Sequence, residues 1–307
     1  MTLAAIGPML SDGRAHHGPV AAFDAHTFEH LQAIVAGAEL AGSGVIIQIG
    51  ETAVDHHGGQ LAPLARAAAE MARTATVPVG LHLTKVRRTA LLAQAAHCGF
   101  GSIMYDAGHL SYARAVAVTR DAVSWAHEQG LWAEAELTDT GGRGGPRAAR
   151  TGTSPCPHGA HLAPGMAQEF ADATGADALV LSGESHPFGT CTADDHRSLL
   201  AGLRTAVNVP LVLRELSAAN AAELRAAVVA GVAKLGFGRA LDPAMTRALR
   251  DRLAAGGTQD PADYLAAARR AMADVVARLI QTLEGPDAGP SPCSPTLLLN
   301  SSGLGDR

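Results

Sequence analysis

Residues 77–86 read VPVGLHLTKV, an apolar run that ends in a hydroxyl and a cation at Thr84 and Lys85. A run this apolar is typical of a strand that is covered on both faces, as in the parallel sheets of α/β proteins. Thr84 and Lys85 then follow the carboxyl end of that strand, where binding and catalytic groups are found in many α/β folds. The stretch therefore predicts a buried strand with a functional position at its end.

The same pattern recurs along the chain. The first helical stretch places Phe28, Leu31 and Val35 on one face, and Gly42 ends it. Seven further apolar runs precede helical stretches, at residues 19–23, 45–49, 101–105, 131–137, 178–182, 210–214 and 233–237. Eight strand–helix units in roughly 250 residues favour a closed (β/α)8 barrel, a TIM barrel, over an open doubly wound sheet.

Three segments fall outside these units. Residues 138–162 are rich in Gly, Pro, Ser and Thr, which predicts either an active-site lid or a disordered loop. Residues 261–284 predict a helix that extends the barrel, and such terminal helices often pack against a neighbouring subunit. Residues 285–307 have the composition of a linker and are expected to be unstructured. The sequence thus predicts a single domain over residues 1–284.

Composition excludes several functional classes. The 307 residues are 47% hydrophobic and 17% charged, which is enough apolar content for a large core. A net charge of -5, without a cluster of Lys and Arg, argues against nucleic acid as a partner. No run approaches the roughly 18 apolar residues of a membrane span, and no signal peptide is recognised. The four cysteines show no CxxC spacing, so we expect a cytoplasmic protein without a disulfide framework.

The ends of the predicted strands carry charges of both signs. In a barrel of this type such positions surround one opening, and their density favours a site over an ordinary solvated rim. The residues are Asp24, Glu51, Thr84, Lys85, Asp106, Glu136, Ser185, His186, Arg214, Glu215 and the segment 236–239, which ends at Arg239.

Several segments resemble, in order and spacing, the class II fructose-bisphosphate and tagatose-bisphosphate aldolases, over about residues 10–284. They include AAFDAHTFEHLQAIVAGAE, VGLHLTK, GSIMYDAGHLSYARAVAVTRDAV, LAPGMAQEF, ADALVLSGESH and VPLVLRELS. The resemblance implies a zinc-dependent (β/α)8 barrel that joins or splits a ketose phosphate through a metal-bound enediolate. It also implies a homodimer or homotetramer.

The chain departs from the family pattern at the metal. The family motif HLDHG supplies a proton-carrying aspartate and a zinc histidine, whereas this chain reads HLTKV and places Thr84 and Lys85 there. A second zinc histidine matches His186, the third is replaced by Arg214, and Glu136 matches a glutamate close to the metal. His186 and Glu136 fall short of the three ligands that a catalytic zinc site needs. We therefore expect no cofactor, with zinc only through a rearranged ligand set.

The phosphate-binding segments are changed as well. The family's GGSG loop after the seventh strand reads ELSA here, and the carboxylate of Glu215 repels an anion at that place. The segment after the eighth strand reads GFGR, and the mobile-loop motif GGEEDG becomes GGRGGP at residues 141–146. These changes argue against simple turnover of fructose 1,6-bisphosphate, although an arginine can restore affinity for phosphate. The expected substrate is a small carbonyl compound that is phosphorylated or carboxylated.

Lys85 is the residue with the most alternatives. Lys85 and Arg214 together carry the two positive charges that zinc supplies in the family, so they can stabilise an oxyanion or anchor the substrate. A free amine at Lys85 can instead attack a carbonyl and form a Schiff base. The third interpretation is a structural ion pair with Glu136 or Asp106.

The remaining candidates have simpler expected roles. Thr84 and Glu136 join Lys85 as catalytic candidates, and His186 is interpreted as a proton shuttle. Arg214 and Arg239 are expected to bind an anionic group of the substrate. Further substrate contacts are expected from Asp24, Glu51, Asp106 and Ser217, with Asp106 also expected to hydrogen-bond backbone.

Two hypotheses of different classes follow from these residues. The first is an aldolase-type carbon–carbon lyase or synthase that works without zinc. The second is a catalytically silent homologue that serves as a binding or partner subunit. An enzyme requires Lys85, His186 and a carboxylate around one cavity, whereas a silent subunit has no such requirement.

Overall fold

The computed structural model describes residues 3–12, 18–137, 164–182, 193–216, 219–256 and 260–284. Eight parallel strands close into a barrel in sequence order, and the last strand pairs with the first. The strands are β1 Val20–Asp24, β2 Val45–Gly50, β3 Val79–Val86, β4 Ser102–Tyr105, β5 Trp132–Glu136, β6 Ala178–Ser182, β7 Leu211–Arg214 and β8 Lys234–Phe237. The predicted (β/α)8 barrel is confirmed.

Helices connect the strands and cover the outside of the barrel. They are α1 Ile6–Asp12, α2 Phe28–Ala41, α3 Glu51–His56, α4 Ala62–Thr74, α5 Thr89–Ala95, α6 Tyr112–Glu128, α7 Pro164–Thr174, α8 Ala193–Ala206, α9 Ala221–Val229, α10 Asp242–Ala254 and α11 Pro261–Glu284. None of the helices in the described ranges is long and apolar enough to cross a membrane.

Alternation along the strands divides the core into two parts. Outward residues such as Phe23, Ile47 and Leu81 belong to one large apolar cluster that also includes the inner faces of the surrounding helices. Alternate positions point into the barrel, and several of these are polar, among them Gln48 and His82. The barrel interior is therefore less apolar than the layer around it.

Helix α1 closes the amino-terminal end of the barrel. Its Ile6 and Leu10 pack with Ala22 and Ile46 in a separate buried cluster. The approach is close enough that a Cβ atom at Gly80 would lie 2.5 Å from Ile6 Cδ1. With this end filled by side chains, the carboxyl ends of the strands are the end that can hold a ligand.

A fully buried polar layer lies inside the barrel. Lys234 Nζ donates to Glu134 Oε1, and both side chains are 1% exposed. His82 Nε2 lies 3.6 Å from Glu134 Oε2, and the other ring nitrogen of His82 lies 2.7 Å from Ser102 Oγ. Burial, with a smaller contribution from Lys234, holds the pKa of His82 well below its ordinary value. The imidazole is thus neutral, and the layer contains one balanced ion pair.

The C-terminal helix completes the barrel. The helix predicted for residues 261–284 is present as α11, and it packs against α2 and α10. Gly37 permits the contact with α2, because a Cβ atom there would lie 2.5 Å from Val276 Cβ and 2.6 Å from the Ala273 carbonyl oxygen. The predictions for residues 138–162 and 285–307 concern segments outside the described residues.

Candidate active site

A cavity of about 640 Å³ opens at the carboxyl ends of the strands. Its volume lies in the usual range for small-molecule sites. Seven of the predicted site residues line it: Asp24, Glu51, Thr84, Lys85, Asp106, Arg214 and Arg239. Glu136 contacts Arg214 from the neighbouring side of the barrel, at 3.2 Å. The other two candidates, His186 and Ser217, lie outside the described residues.

Strand β3 brings two consecutive side chains to this cavity. The sequence predicted a strand that stops before Thr84, whereas β3 continues to Val86. Its register against β4 shifts between Leu83 and Val86, and Lys85 has a φ of 50°. Consecutive side chains of a regular strand point to opposite faces, but a bulge re-aims one of them. Thr84 and Lys85 therefore both line the cavity.

Glu215, which directly follows β7, also combines a positive φ with a place in the cavity lining. Its φ is 60°, and both Arg214 and Glu215 line the cavity. Among the described residues, Lys85 and Glu215 are the non-glycine residues with positive φ. Such a conformation costs about 1–3 kcal/mol and is found most often where function requires it. The two strained residues also contact each other, with Lys85 Nζ 3.5 Å from Glu215 Oε1.

Arg214 links this pair to the barrel interior. Its guanidinium donates to Glu136 Oε2 at 3.2 Å and to Glu215 Oε1 at 2.5 Å. The Arg214 side chain is 6% exposed, whereas Lys85 is 33% exposed. Two carboxylates and two cations thus form a chain of alternating charge that ends at Lys85 in the cavity. The sequence suggested Glu136 or Asp106 as the partner of Lys85, and the structure shows Glu215 in contact with it.

Carboxylates at the rim hold the segment after β3. Glu51 Oε1 accepts hydrogen bonds from the backbone N–H groups of Arg87 and Arg88, at 2.9 and 2.7 Å. Asp106 Oδ2 accepts from Arg87 Nε at 2.8 Å, and Asp106 Oδ1 accepts the backbone N–H of Gly108 at 3.0 Å. The backbone contact expected of Asp106 is therefore present. Both carboxylates stabilise the loop that follows Lys85.

Arg239 lies at the outer edge of the opening. Its side chain is 81% exposed, and Nε donates to Asp242 Oδ2 at 3.1 Å. A guanidinium this accessible can turn toward a substrate, so its predicted role in anion binding stays a prediction.

Asp24 occupies the end of β1 and is partly buried. Gln48 Nε2 donates to its Oδ1 at 2.8 Å. Burial, followed by the charge of Glu215, raises the pKa of Asp24 to about 6, against the opposing effects of Gln48, His26 and Lys85. The carboxyl group therefore changes its protonation state close to neutral pH.

The chain matches the model of the family described as fructose-bisphosphate aldolase class-II over residues 5–287. It belongs to this family. The class II aldolase fold is also seen in solved structures. The YdjI aldolase from Escherichia coli K12 is 25% identical with a TM-score of 0.75, and the match covers 92% of this chain and 97% of that one. Fructose-bisphosphate aldolase (Fba) from Campylobacter jejuni is 17% identical with a TM-score of 0.74, and the match covers 92% and 95% of the two chains.

The described residues of this family member do not fit the zinc ion that the family implies. Lys85 and Arg214, which stand where zinc histidines are expected, are cations and hydrogen-bond donors. Glu136 is held by Arg214. Within the described ranges no group of three or more His, Cys, Asp or Glu residues could hold a metal ion. His186, the remaining expected ligand, lies outside those ranges.

Sequence reasoning missed three contributors to this region. Glu215 was named among the strand ends and noted for its negative charge, but its contacts with Lys85 and Arg214 were not predicted. His26 lines the cavity two residues after Asp24, a spacing at the end of β1 that could have indicated it. No pattern in the neighbouring sequence indicated that Glu134 and Lys234 pair inside the barrel.

Proposed function

We propose that this class II aldolase family member is a carbon–carbon lyase or synthase for a small carbonyl compound, with Lys85 and Arg214 in place of a catalytic metal. The observation that carries the proposal is the pair of cations at the ends of β3 and β7, held in one cavity by Glu136 and Glu215. These are two of the three positions where the family pattern places zinc histidines.

The chemistry requires stabilisation of a negatively charged oxygen. In the cleavage direction, the bond between the α-carbon of the carbonyl compound and the carbon that bears the hydroxyl group breaks. Its electron pair forms an enolate, while the hydroxyl proton moves to a base and an aldehyde is released. Cations that are already held in position stabilise the enolate oxygen without reorganisation during the reaction. Lys85 is placed for this task because its ammonium group is at the cavity surface.

The contact between Lys85 and Glu215 favours electrostatic stabilisation over a Schiff base. A carboxylate 3.5 Å from Nζ favours the ammonium form of the lysine. An ammonium group cannot attack a carbonyl carbon, because a Schiff base requires the free amine. Attack by Lys85 would first require its proton to leave. The geometry therefore supports Lys85 as a cation, with the Schiff base as the alternative that experiment decides.

Two substitutions separate these mechanisms. Wild-type protein is incubated with dihydroxyacetone, dihydroxyacetone phosphate or pyruvate together with a panel of aldehydes, and new carbon–carbon bonds are detected by NMR. If Lys85 is an electrostatic group, Lys85→Arg retains part of the turnover and Lys85→Met loses about 100-fold or more. If it is a nucleophile, both variants are inactive. Borohydride then gives a covalent adduct in wild type, detected by mass spectrometry, and none in Lys85→Arg.

A catalytically silent binding subunit is the second candidate. It is favoured by the pairing of the cavity cations, since Lys85, Arg87, Arg214 and Arg239 each contact a carboxylate. Folded wild-type protein that forms and cleaves no bond across the whole panel would support this candidate.

The metal is tested separately. Elemental mass spectrometry on protein purified without a chelator or a histidine tag is expected to show well under one zinc per chain. About one zinc per chain would instead support a rearranged ligand set and a Lewis-acid mechanism.

The proposed assembly is a homodimer or homotetramer. Light scattering coupled to size-exclusion chromatography would show two or four times the chain mass, and a single chain mass would contradict it.

A further inference from the structure

The proposed reaction needs a group that carries the hydroxyl proton. In the family pattern this is the aspartate of HLDHG, and Thr84 stands in its place. A threonine hydroxyl is not a base near neutral pH. Thr84 is also 3% exposed, in the wall of the cavity. A side chain other than Thr84 must therefore accept the proton.

We propose that Asp24 is the catalytic acid–base of the cavity, an inference that rests on the proposed aldolase function. In cleavage, the substrate hydroxyl proton moves to Asp24 Oδ2, and the remaining electron pair on that oxygen becomes part of the carbonyl bond of the aldehyde. The electron pair of the broken carbon–carbon bond goes to the enolate, whose oxygen faces Lys85. In condensation the same proton returns from Asp24 to the aldehyde oxygen. To complete cleavage, the enolate carbon takes one proton from water and Asp24 returns its proton to water, so the protons balance over the cycle.

Asp24 lines the cavity, and Gln48 Nε2 holds its Oδ1 at 2.8 Å, which fixes the orientation of the carboxyl group. The backbone of Gly238 lies close to this group, because a Cβ atom there would be 3.3 Å from Asp24 Oδ2 and 2.7 Å from Glu215 Oε2. A side chain at residue 238 would therefore crowd both carboxyl groups. A substrate hydroxyl in the cavity can approach the carboxyl oxygen of Asp24 that Gln48 does not hold.

Glu215 places the acid–base next to the cations. Its Oε1 contacts Lys85 and Arg214, while its Oε2, like Asp24 Oδ2, lies beside Gly238. In an aldol the carbonyl and hydroxyl carbons are separated by one carbon, so the cation and the base must act side by side. Glu215 contacts Lys85 and lies close enough to Asp24 for its charge to act on that carboxyl group, which agrees with this arrangement although β1 and β3 are separated by β2.

The charges that face Asp24 come from several elements. Glu215 follows β7, Lys85 belongs to β3, and His26 follows β1. Burial and Glu215 favour the protonated carboxyl, and Gln48, His26 and Lys85 favour the carboxylate, with a resulting pKa of about 6. A group that gains and loses its proton near the working pH serves both directions of a reversible step. The electrostatics thus agree with the role that the geometry assigns.

Asp24→Asn tests the role in turnover. Asparagine keeps the size of the side chain and an acceptor for Gln48, but it cannot take up the proton. With the most active pair from the carbonyl panel, kcat is expected to fall at least about 100-fold with KM changed only a few-fold. Wild-type kcat/KM for cleavage should fall below pH about 6, and the residual activity of Asp24→Asn should lack that dependence. The control is Asp121→Asn, the same change at an exposed position on α6, which should match wild type.

A second measurement needs no substrate. The carboxyl resonance of Asp24 in carbon-13-labelled protein, assigned by its loss in Asp24→Asn, should titrate with a midpoint of about 6. Glu215→Gln should lower that midpoint, because it removes the neighbouring negative charge. A midpoint near 4, the ordinary value for aspartate, would overturn the acid–base role.

The outcomes separate this inference from the proposed function. Turnover by Asp24→Asn close to that of wild type overturns the role of Asp24 and leaves the aldolase function standing. No turnover by folded wild type across the panel overturns both. Loss of turnover in Asp24→Asn together with a midpoint of about 6 supports both.

Discussion

Two regions inside the same barrel hold opposite charges, and they differ in backbone and in access. Lys234 and Glu134 pair within regular strands, and both are 1% exposed. Lys85 and Glu215 pair on backbone with positive φ, at 33% and 16% exposure. Regular strands hold the buried pair, whereas Lys85 and Glu215 meet on backbone of a costly conformation. Strain is therefore found at the pair that lines the cavity and not at the pair that fills the barrel.

Arg214 and Glu136 form the level between these two regions, at 6% and 9% side-chain exposure. From Lys234 through Arg214 to Lys85, the ion pairs become more accessible toward the carboxyl ends of the strands. A ligand that enters from the open end meets the strained pair first. Arg214 contacts Glu215 as well as Glu136, and so links the Lys85–Glu215 pair to the level below it.

The largest expected effect comes from breaking the buried pair. Lys234→Met leaves the Glu134 carboxylate without its cation inside the barrel, beside a neutral His82. We expect the free energy of unfolding, measured in urea by circular dichroism, to fall by about 3–5 kcal/mol.

The matched control removes both charges. In Lys234→Met/Glu134→Leu the uncompensated charge is absent, so most of the lost stability should return. A loss below about 1 kcal/mol in the single variant would contradict this account. The buried pair would then contribute no more to the free energy of unfolding than an exposed ion pair does.

The second effect is the pH dependence of the free energy of unfolding that Asp24 gives to the cavity region. The folded-state pKa of Asp24, about 6, lies above its ordinary value of 3.8, so the folded protein holds a proton that the unfolded chain has already lost. Asp24 therefore contributes stability below pH about 4, and this contribution disappears as the pH rises through about 6. From pH 4 to 7.5, the free energy of unfolding of Asp24→Asn should rise relative to wild type by about 2 kcal/mol.

Urea unfolding at a series of pH values measures this difference. Asp121→Asn on the outer surface of α6 should differ from wild type by a constant amount over the same range. If the difference for Asp24→Asn is also constant, then the pKa of Asp24 is the same in the folded and unfolded protein. Burial and Glu215 would then not raise it.

The sequence predicted the barrel far better than it predicted the contacts of the site. All eight strands were expected, because strands covered on both faces are apolar over their whole length. The end of β3 was placed too early, since a polar pair after an apolar run usually marks a strand end, and a bulge has no sequence signal of its own. The short helices α1 and α3 were not predicted, because six or seven residues show little periodicity.

Partners across the barrel could not be predicted. Glu134 and Lys234 are separated by 100 residues, and both lie in mostly apolar runs that give no sign of their pairing. Lys85 and Glu215 come from opposite halves of the chain, so only the closure of the barrel brings them together. The residues that could be named in advance were those at strand ends, because that position follows from the fold alone.

The smallest expected effect measures the backbone strain at Lys85 directly. A residue with a side chain costs roughly 1–2 kcal/mol in the left-handed region, and glycine avoids this cost. Lys85→Gly and Lys85→Ala both remove the ammonium group, so the difference between them reports the backbone. We expect Lys85→Gly to be more stable than Lys85→Ala by about 1 kcal/mol in urea unfolding.

Arg120, an exposed position inside helix α6, gives the control. There the order should reverse, because glycine is less favourable than alanine in a helix by about 1 kcal/mol. If the alanine variant is the more stable one at residue 85 as well as at residue 120, the bulge holds Lys85 without strain. Backbone strain would then not distinguish the Lys85–Glu215 pair from the buried Lys234–Glu134 pair. Solvent exposure alone would remain as the difference between the two pairs.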